Sequence, residues 1–285
     1  MKGTTMNIKI TSDSTCDLSN ELVEKFNIGI VPLTVVKDDV SYQDGIDITP
    51  ADIFAHVAAG GDLCSTAAIN VGGYEDVFKK YAADYDGVIH INISSEFSCS
   101  YQNACLAAEE FENVRVIDSR NLSTGQGLVV LKACELAQTC ENLDDLKQQL
   151  DAFTEKVEAS FLIDDLRYLV KGGRCSSAAA LGANLLNLKP CIDVKNGKMT
   201  VGKKYRGKFE KSLASYVKDR LNNRDDLDRG TLFVTRTPVS DEALQAVRDA
   251  VDAYANFENI YWTKAGCTVS CHCGPGTLGV LFVRK

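Results

Sequence analysis

Short apolar runs alternate with helical patterns through the first half of the sequence, and this alternation constrains the fold most strongly. Residues 7–11 alternate polar and apolar side chains, whereas residues 28–36, 87–93 and 114–117 are mainly apolar. Helical spacing of apolar residues is found at about 50–58, 73–83, 98–111, 124–139 and 142–158. Strands that alternate with helices in this way predict a mostly parallel sheet flanked by helices.

The pattern changes after about residue 160, and the later elements predict a second α/β unit with a mixed sheet. Its predicted elements are a hairpin turn at Asn196-Gly197, helices at about 207–222 and 240–254, and strands at 231–234, 259–262 and 278–283. A chain of 285 residues is long enough for two domains. We therefore predict an α/β protein with an N-terminal domain at 1–160 and a C-terminal domain at 161–285.

The charge balance restricts the classes of partner. The formal net charge is −8, which argues against nucleic acid, because phosphate recognition needs clustered Lys and Arg. It also disfavours docking on an anionic membrane surface. No apolar run approaches the roughly 18 residues of a transmembrane helix, and the first seven residues, MKGTTMN, contain no apolar signal-peptide core. We therefore expect a cytoplasmic protein without a membrane span.

The sequence contains eleven cysteines at irregular spacing. In a long chain without a secretion signal, we expect most of them to be reduced and to pack as small buried hydrophobes. Cys267, Cys271, His272 and Cys273 also raise the question of a metal. Neighbouring residues on an extended chain face opposite ways, and no second ligand pair is evident, so we expect no metal site.

The segment 161–198, FLIDDLRYLVKGGRCSSAAALGANLLNLKPCIDVKNGK, contains the longest distinctive pattern. Residues 161–163 predict a strand, after which Asp164 and Asp165 are suited to cap a helix that Gly172-Gly173 ends. Arg174 follows on a tight loop. Ser176-Ser177 can cap a further helix, which Pro190 would end. On the residues alone, this loop also fits a simple helix C-cap followed by a solvated arginine.

The same segment resembles the DegV family of bacterial fatty-acid-binding proteins. The shared features are an aspartate pair, Leu-x-Tyr-Leu, the Lys-Gly-Gly-Arg loop, an alanine-rich helix and Leu-Lys-Pro. Near the N-terminus, residues 12–18, SDSTCDL, resemble the family signature Asp-Ser-Thr-x-Asp-Leu. The resemblance implies a protein that binds a long-chain fatty acid where its two domains face each other. It implies no catalytic activity and no cofactor.

The resemblance also assigns site residues. Thr66 matches a family threonine that binds the fatty-acid carboxylate, although residues 66–74, TAAINVGGY, lack the family's Ser-Gln-Pro core. The serine pair of the family corresponds to Ser94 and Ser95, of which we favour Ser95 as the second carboxylate ligand. Glu96 replaces a family glycine there and would weaken binding unless it points to solvent. His272 matches the histidine of Gly-x-His-x-Gly-Pro-Gly and is expected to pair with the carboxylate.

Three further residues lie in motifs near the expected site. Arg174 is expected to contact the headgroup or a protein partner, and Ser14 and Thr15 belong to a loop near the site. For Asp13 and Asp17 of that loop we favour a structural role, in which their carboxylates accept hydrogen bonds from loop amides. Some DegV proteins present their fatty acid to a separate fatty-acid kinase, which makes an acyl phosphate, so a kinase partner is also expected.

Two other functions remain open from the residues. A serine hydrolase acting on a small ester or lipid could use Ser95 or Ser14, His272 and one of three aspartates, Asp13, Asp17 or Asp118. The sequence contains no Gly-x-Ser-x-Gly elbow to support it. A phosphate or nucleotide binder is disfavoured because the chain lacks both G-x-G-x-x-G and a P-loop.

Overall fold

The structure is a computed structural model, and it describes residues 5–180 and 188–285. Within these residues the strands, in chain order, are β1 (Ile8–Asp13), β2 (Gly29–Val31), β3 (Thr34–Lys37), β4 (Val40–Gln43), β5 (Ser65–Ala67), β6 (Gly87–Asn92), β7 (Val114–Asp118), β8 (Val157–Ile163), β9 (Leu188–Lys195), β10 (Lys198–Arg206), β11 (Leu227–Arg236), β12 (Asn259–Lys264) and β13 (Thr277–Arg284). The α-helices are α1 (Asn20–Lys25), α2 (Pro50–Ala58), α3 (Val71–Ala82), α4 (Ser100–Ala108), α5 (Thr124–Ala137), α6 (Leu143–Thr154), α7 (Arg167–Gly172), α8 (Ser176–Ala179), α9 (Phe209–Leu221), α10 (Asp241–Tyr254) and α11 (Cys267–Cys273).

The N-terminal sheet has the order β2-β1-β6-β7, and its strands are all parallel, as predicted. Every residue of β6 is buried, because helices cover both faces of the sheet. Val88 packs with side chains of α3 and α4. Ile89 and Ile91, on the opposite face, join a core that includes side chains of α5 and α6.

A small antiparallel sheet, β4-β3-β5, stands beside the parallel one. The sequence pattern at 28–36 reads as one apolar run, but the structure divides it between β2 and β3. Pro32 lies between these strands and has no N–H to donate to a continuous ladder, which accounts for the break. The division matters because it brings β5, which carries Thr66, next to β3.

The C-terminal sheet has the order β10-β9-β8-β13-β11-β12 and is mixed, as predicted, since only β11 and β12 pair in parallel. One face packs against α9 and α10 through side chains such as Leu162 and Val280. The other face, which includes Phe161 and Leu281, shares a core with α5 of the N-terminal half. The two halves are therefore joined by a continuous apolar core.

Several boundaries differ from those predicted. The helix expected to reach residue 158 ends at Thr154, and β8 starts at Val157. Pro190, which was expected to end a helix, lies inside β9 opposite Lys204, at a point where pairing with β8 has already ended. The helix begun at Ser176 is described only as far as Ala179, since residues 181–187 lie outside the described part. The domain division at residue 160 stays a prediction.

Helix α11 was not predicted, because residues 267–273 were treated as extended chain. Its first backbone N–H groups are capped by carboxylates from the N-terminal half. Asp17 accepts from Gly266 N at 2.8 Å, and Asp44 accepts from Cys267 N at 2.9 Å and Thr268 N at 3.1 Å. The helix thereby lies among N-terminal elements, where two of its three cysteines join the buried cluster of Val35, Ile48, Ile53, Cys64, Cys267 and Cys271.

Asp44 should contribute strongly to stability, because it accepts hydrogen bonds from two α11 amides and from the Ser14 hydroxyl. We expect Asp44→Ala to lower the free energy of unfolding by at least about 1.5–3 kcal/mol, the usual cost of losing a hydrogen bond to a charged group. Asp44→Asn keeps one acceptor oxygen and should lose less. Urea denaturation measures both, with Asp62→Ala at an exposed carboxylate as control. Equal stability of Asp44→Ala and the control would contradict the capping role.

Candidate functional site

Thr66 and His272, 206 residues apart in sequence, meet in the structure. The Thr66 Oγ1 and His272 Nε2 atoms are 2.8 Å apart. Strand β5 carries the threonine and α11 carries the histidine, and both side chains are half-buried. The two residues line one cavity of about 130 Å³. The pair therefore presents a hydroxyl and an imidazole to an internal space.

The rest of this cavity is largely apolar and is built from both halves of the chain. Its apolar lining comes from Leu33, Ile93, Phe97, Leu122, Met199 and Val269. Its other polar or charged side chains include Ser98, Thr268 and Arg174. A second cavity of about 30 Å³ shares Leu122, Val269 and Cys273 with it and continues towards β8 and β13. The arrangement suits an elongated apolar ligand with one polar end.

His272 is expected to be neutral in the ligand-free protein. Burial, and then the positive charge of Arg174, lower the pKa of its imidazole to about 4. Above that pH the ligand-free site holds an imidazole and not an imidazolium. The positive charge that lines the cavity is instead the Arg174 guanidinium.

The imidazole of His272 packs closely against Gly172 of α7. A Cβ atom added at Gly172 would lie 2.4 Å from His272 Nδ1, so only glycine permits this approach of α7 to α11. Nδ1 is buried and has no hydrogen-bond partner among the described residues. With the proton on Nε2, the ring donates to Thr66 Oγ1 and leaves the threonine hydroxyl proton free for an anion in the cavity.

Ser94 and Ser95 do not line the cavity in this structure, and their role as carboxylate ligands stays a prediction. The buried Ser94 hydroxyl donates to the carbonyl of Gly197 at 2.8 Å, in the hairpin turn between β9 and β10. The Ser95 hydroxyl donates to Asp118 Oδ2 at 2.6 Å. Their hydroxyls are directed away because one finds an acceptor in the β9–β10 turn and the other finds one at the end of β7. Ser98 is the serine of this loop that lines the cavity.

Glu96, which replaces a family glycine, is directed away from the cavity. Its side chain is exposed and pairs with Lys198 Nζ at 3.4 Å. The negative charge is therefore partly balanced and solvated at the protein surface. It does not add to the charge that lines the cavity.

Arg174 lies on the predicted tight loop after Gly173, whose backbone is left-handed with φ 69°. Its side chain is exposed, and Nη1 donates to the carbonyl of Gly172 at 2.7 Å. Nε lies 3.4 Å from the carbonyl of Phe97. The guanidinium thus bridges α7 and the loop before α4 at the mouth of the cavity, with part of its charge facing solvent.

The loop that contains Ser14 and Thr15 supports α11 and the sheet, and neither hydroxyl lines the cavity. Ser14 Oγ donates to Asp44 Oδ2 at 2.9 Å and accepts from Leu33 N at 3.1 Å. Thr15 Oγ1 donates to Gln126 Oε1 at 2.7 Å. Asp13 accepts from the amides of Thr15 and Ile93 at 3.1 Å and 2.8 Å, which agrees with the structural role favoured for it.

Burial raises the pKa of Asp17 to about 8, although Ser123 and the Gly266 amide both donate to its carboxylate. Because this folded-state pKa exceeds the unfolded value, the stability contribution of Asp17 is greatest below the unfolded pKa. It declines as the pH rises towards 8. Asp17 therefore belongs to the support of α11, and its contribution to that support weakens as the pH rises from about 4 to about 8.

The hydrolase arrangement is not assembled. The hydroxyls of Ser14 and Ser95 donate to Asp44 and Asp118, whereas His272 Nε2 bonds Thr66. A nucleophilic serine needs an imidazole within hydrogen-bond reach to take its proton.

In the described residues, no group of three or more His, Cys, Asp or Glu side chains is placed to hold a metal ion. None of the described helices is long and apolar enough to cross a membrane.

Comparison with known proteins identifies the family. The family model described as "Uncharacterised protein, DegV family" matches residues 7–285. A DegV domain-containing protein of Clostridium acetobutylicum is 33% identical over 282 residues, which cover 98% of this chain and 99% of the relative. A second one, from Clostridium perfringens, is 32% identical over 282 residues. The chain is a member of the DegV family.

Solved structures agree with this assignment. A structure described as "Fatty Acid Binding of a DegV family Protein from Thermus thermophilus" has a TM-score of 0.89 at 28% identity, with 98% of this chain and 100% of that chain covered. The DegV protein of Bacillus subtilis, described as a fatty acid binding protein, has a TM-score of 0.81 at 27% identity, with the same coverage. The fold and the sequence therefore lead to the same family.

The low pKa of His272 can be tested directly. We expect its imidazole to titrate near pH 4 in ligand-free protein, and Arg174→Gln to move this pKa upward, because the variant removes a nearby positive charge. NMR titration of the histidine ring protons measures both. His90, whose pKa burial alone lowers to about 3, should be unaffected and serves as the internal control. Titration of wild-type His272 near its ordinary pKa of about 6.5 would contradict the burial argument.

Proposed function

We propose that this protein binds a long-chain fatty acid, with the carboxylate at Thr66 and His272 and the acyl chain in the apolar cavity. The observation that carries the proposal is the position of this polar pair in a cavity whose other walls are mostly apolar. A fatty acid has the matching asymmetry, because its single polar group stands at one end of an apolar chain.

The second cavity supports the expected course of the acyl chain. Leu122, Val269 and Cys273 line both cavities, so a chain entering at Thr66 can continue between α5 and the C-terminal sheet. Pockets for small molecules typically enclose about 300–1,000 Å³, more than the roughly 130 Å³ of the first cavity. We therefore expect the apolar walls to part when the chain enters.

The energetics assign different tasks to the two ends of the ligand. Each buried methylene contributes about 0.8 kcal/mol, so the acyl chain supplies most of the affinity before the ordering costs are subtracted. A buried carboxylate must be hydrogen-bonded or paired. The Thr66 hydroxyl can donate to it while His272 Nε2 donates to Thr66, and the positive charge of Arg174 offsets part of its desolvation. Ser98, which also lines the cavity, offers a further hydroxyl that could donate to the carboxylate.

Known relatives support the ligand class. The Thermus thermophilus and Bacillus subtilis proteins, at 28% and 27% identity, are both described as binding fatty acids. A Thermotoga maritima relative at 26% identity is described as a DegV lipid binding protein. We extend the fatty acid, and no further property, from these proteins to this chain.

We further propose that the protein is a carrier with no chemistry of its own, which presents the carboxylate to a fatty-acid kinase for acyl phosphate formation. The support is the location of Arg174, which lines the cavity but keeps its side chain exposed to solvent. A partner docked over this loop could contact both the guanidinium and the carboxylate.

Thr66→Val tests the headgroup assignment together with the ligand class. The variant preserves the shape of the side chain but removes the hydroxyl, so we expect affinity to fall about 10- to 100-fold, as for a lost hydrogen bond to a charged group. Thr66→Ser keeps the hydroxyl and should bind more like wild type. Displacement of a fluorescent fatty acid measures all three proteins. Failure of the wild type to bind any long-chain fatty acid would refute the proposed function, whereas equal binding by Thr66→Val would remove Thr66 from the site.

Arg174→Ala tests presentation to a kinase. Because the side chain is exposed, we expect the melting temperature to change little. If Arg174 also serves the partner, acyl phosphate formation by a fatty-acid kinase with ATP should fall by a larger factor than fatty-acid affinity. Arg174→Lys, which keeps the charge, is the matched control. A loss of affinity equal to the loss of acyl phosphate would place the role of Arg174 at the headgroup alone.

A further inference from the structure

Two thiols lie close together beside the elements that carry Thr66 and His272. Cys64 and Cys271 belong to the same small buried cluster, and each thiol is near enough to the other to influence its pKa. Both are free cysteines. Cys267, one helical turn from Cys271, donates its thiol to the carbonyl of Ile48 at 3.2 Å. Because the Cys267 thiol already has a partner, the two neighbouring thiols considered below are those of Cys64 and Cys271.

The pair connects the same two elements that build the polar end of the cavity. Cys64 immediately precedes β5 and stands two residues before Thr66, whereas Cys271 is the neighbour of His272 in α11. The segment 64–66 therefore lies next to α11 at two places. The thiols are neighbours at one, and the Thr66–His272 contact of 2.8 Å is the other. A change in one contact must act on the other.

Solvent reaches one of the two sulfurs more readily. Cys64 is 9% exposed and Cys271 is 3% exposed. Asp62 and Ser65, on either side of Cys64, are exposed. Burial raises the pKa of both thiols, and Lys37 partly opposes this at Cys64. Cys64 is thus the residue that an oxidant in solution meets first. Because both thiols are mostly protonated near neutral pH, we expect the exchange to be slow there and faster at alkaline pH.

We propose that Cys64 and Cys271 form a reversible disulfide when the protein meets a small-molecule disulfide, and that this bond weakens the headgroup site. The Cys64 thiolate attacks one sulfur of the small disulfide and releases one thiolate as leaving group. The Cys271 thiolate then attacks the Cys64 sulfur of the mixed disulfide and releases the second. Two electrons pass from the protein thiols to the small disulfide, and the two protons lost pass through solvent to the released thiolates.

The effect on ligand binding rests on the proposed function. Two neighbouring sulfurs that are not bonded must approach to form a bond, so β5 and α11 have to shift relative to each other. Thr66 and His272 lie within two residues of the sulfurs and cannot keep their present geometry through that shift. Reduction restores the thiols and therefore the site.

The experiment uses the full chain in a Cys99→Ser background, because Cys99 is exposed and lines the cavity, where a mixed disulfide could block the ligand. Ligand-free protein is incubated with glutathione disulfide at mildly alkaline pH, alkylated and mapped without reduction by mass spectrometry. We expect a cross-linked peptide pair containing Cys64 and Cys271, which dithiothreitol removes. Displacement of a fluorescent fatty acid should then show affinity at least about ten-fold weaker in the oxidised protein, as for a lost hydrogen bond to the carboxylate.

Cys64→Ser in the same background is the matched control, and its affinity should not respond to glutathione disulfide. Absence of the Cys64–Cys271 cross-link, or mixed disulfides alone, would overturn the modification site. A mapped cross-link with unchanged affinity would overturn its coupling to the headgroup pair. If the reduced protein binds no fatty acid, the proposed function fails, and the peptide map still decides whether the disulfide forms.

Discussion

The capping of α11 by two buried carboxylates is the interaction on which the site depends. Asp17 and Asp44 accept the first N–H groups of a helix that has no side-chain cap of its own. A helix of seven residues is too short to be stable alone, so this capping and its buried cysteines hold it in position. Every part of α11 that contributes to the cavity inherits its position from these bonds.

The cavity lies beside α11, where α5 and the two sheets leave a space between them unfilled. Helix α5 packs between the N-terminal sheet and the inner face of the C-terminal sheet, and the shared core is continuous there. Near α11 an open space remains, and its walls include Leu122 from the loop before α5 and Val269 of α11. The polar pair lies at one side of this space, and Gly172 lets α7 close against the imidazole. Shape and polarity thus arise from packing between distant parts of the chain.

Local patterns predicted the parallel sheet and most helices, because periodicity and turn chemistry act over a few residues. Resemblance to DegV motifs selected Thr66 and His272, which the structure brings together. The sequence could not predict α11, since its caps come from residues far away in the chain. It favoured Ser95 over Ser94 as a carboxylate ligand, but the direction of each hydroxyl depends on acceptors, Asp118 and Gly197, that lie elsewhere in the chain. The sequence of the Ser94–Ser95 loop therefore indicated candidate ligands, but it could not indicate which groups their hydroxyls contact.

The distance in sequence between Asp17 and Gly266 has a consequence for folding during synthesis. Their hydrogen bond joins residues 249 positions apart. Ribosomes add about 5–20 residues per second, so the first carboxylates wait on the order of 10–50 s for the helix that they cap. During this time the N-terminal layers already exist outside the ribosome without one wall of the cavity. Chaperones can then bind their exposed apolar surface. The lipid cavity is not complete until α11 has been synthesised.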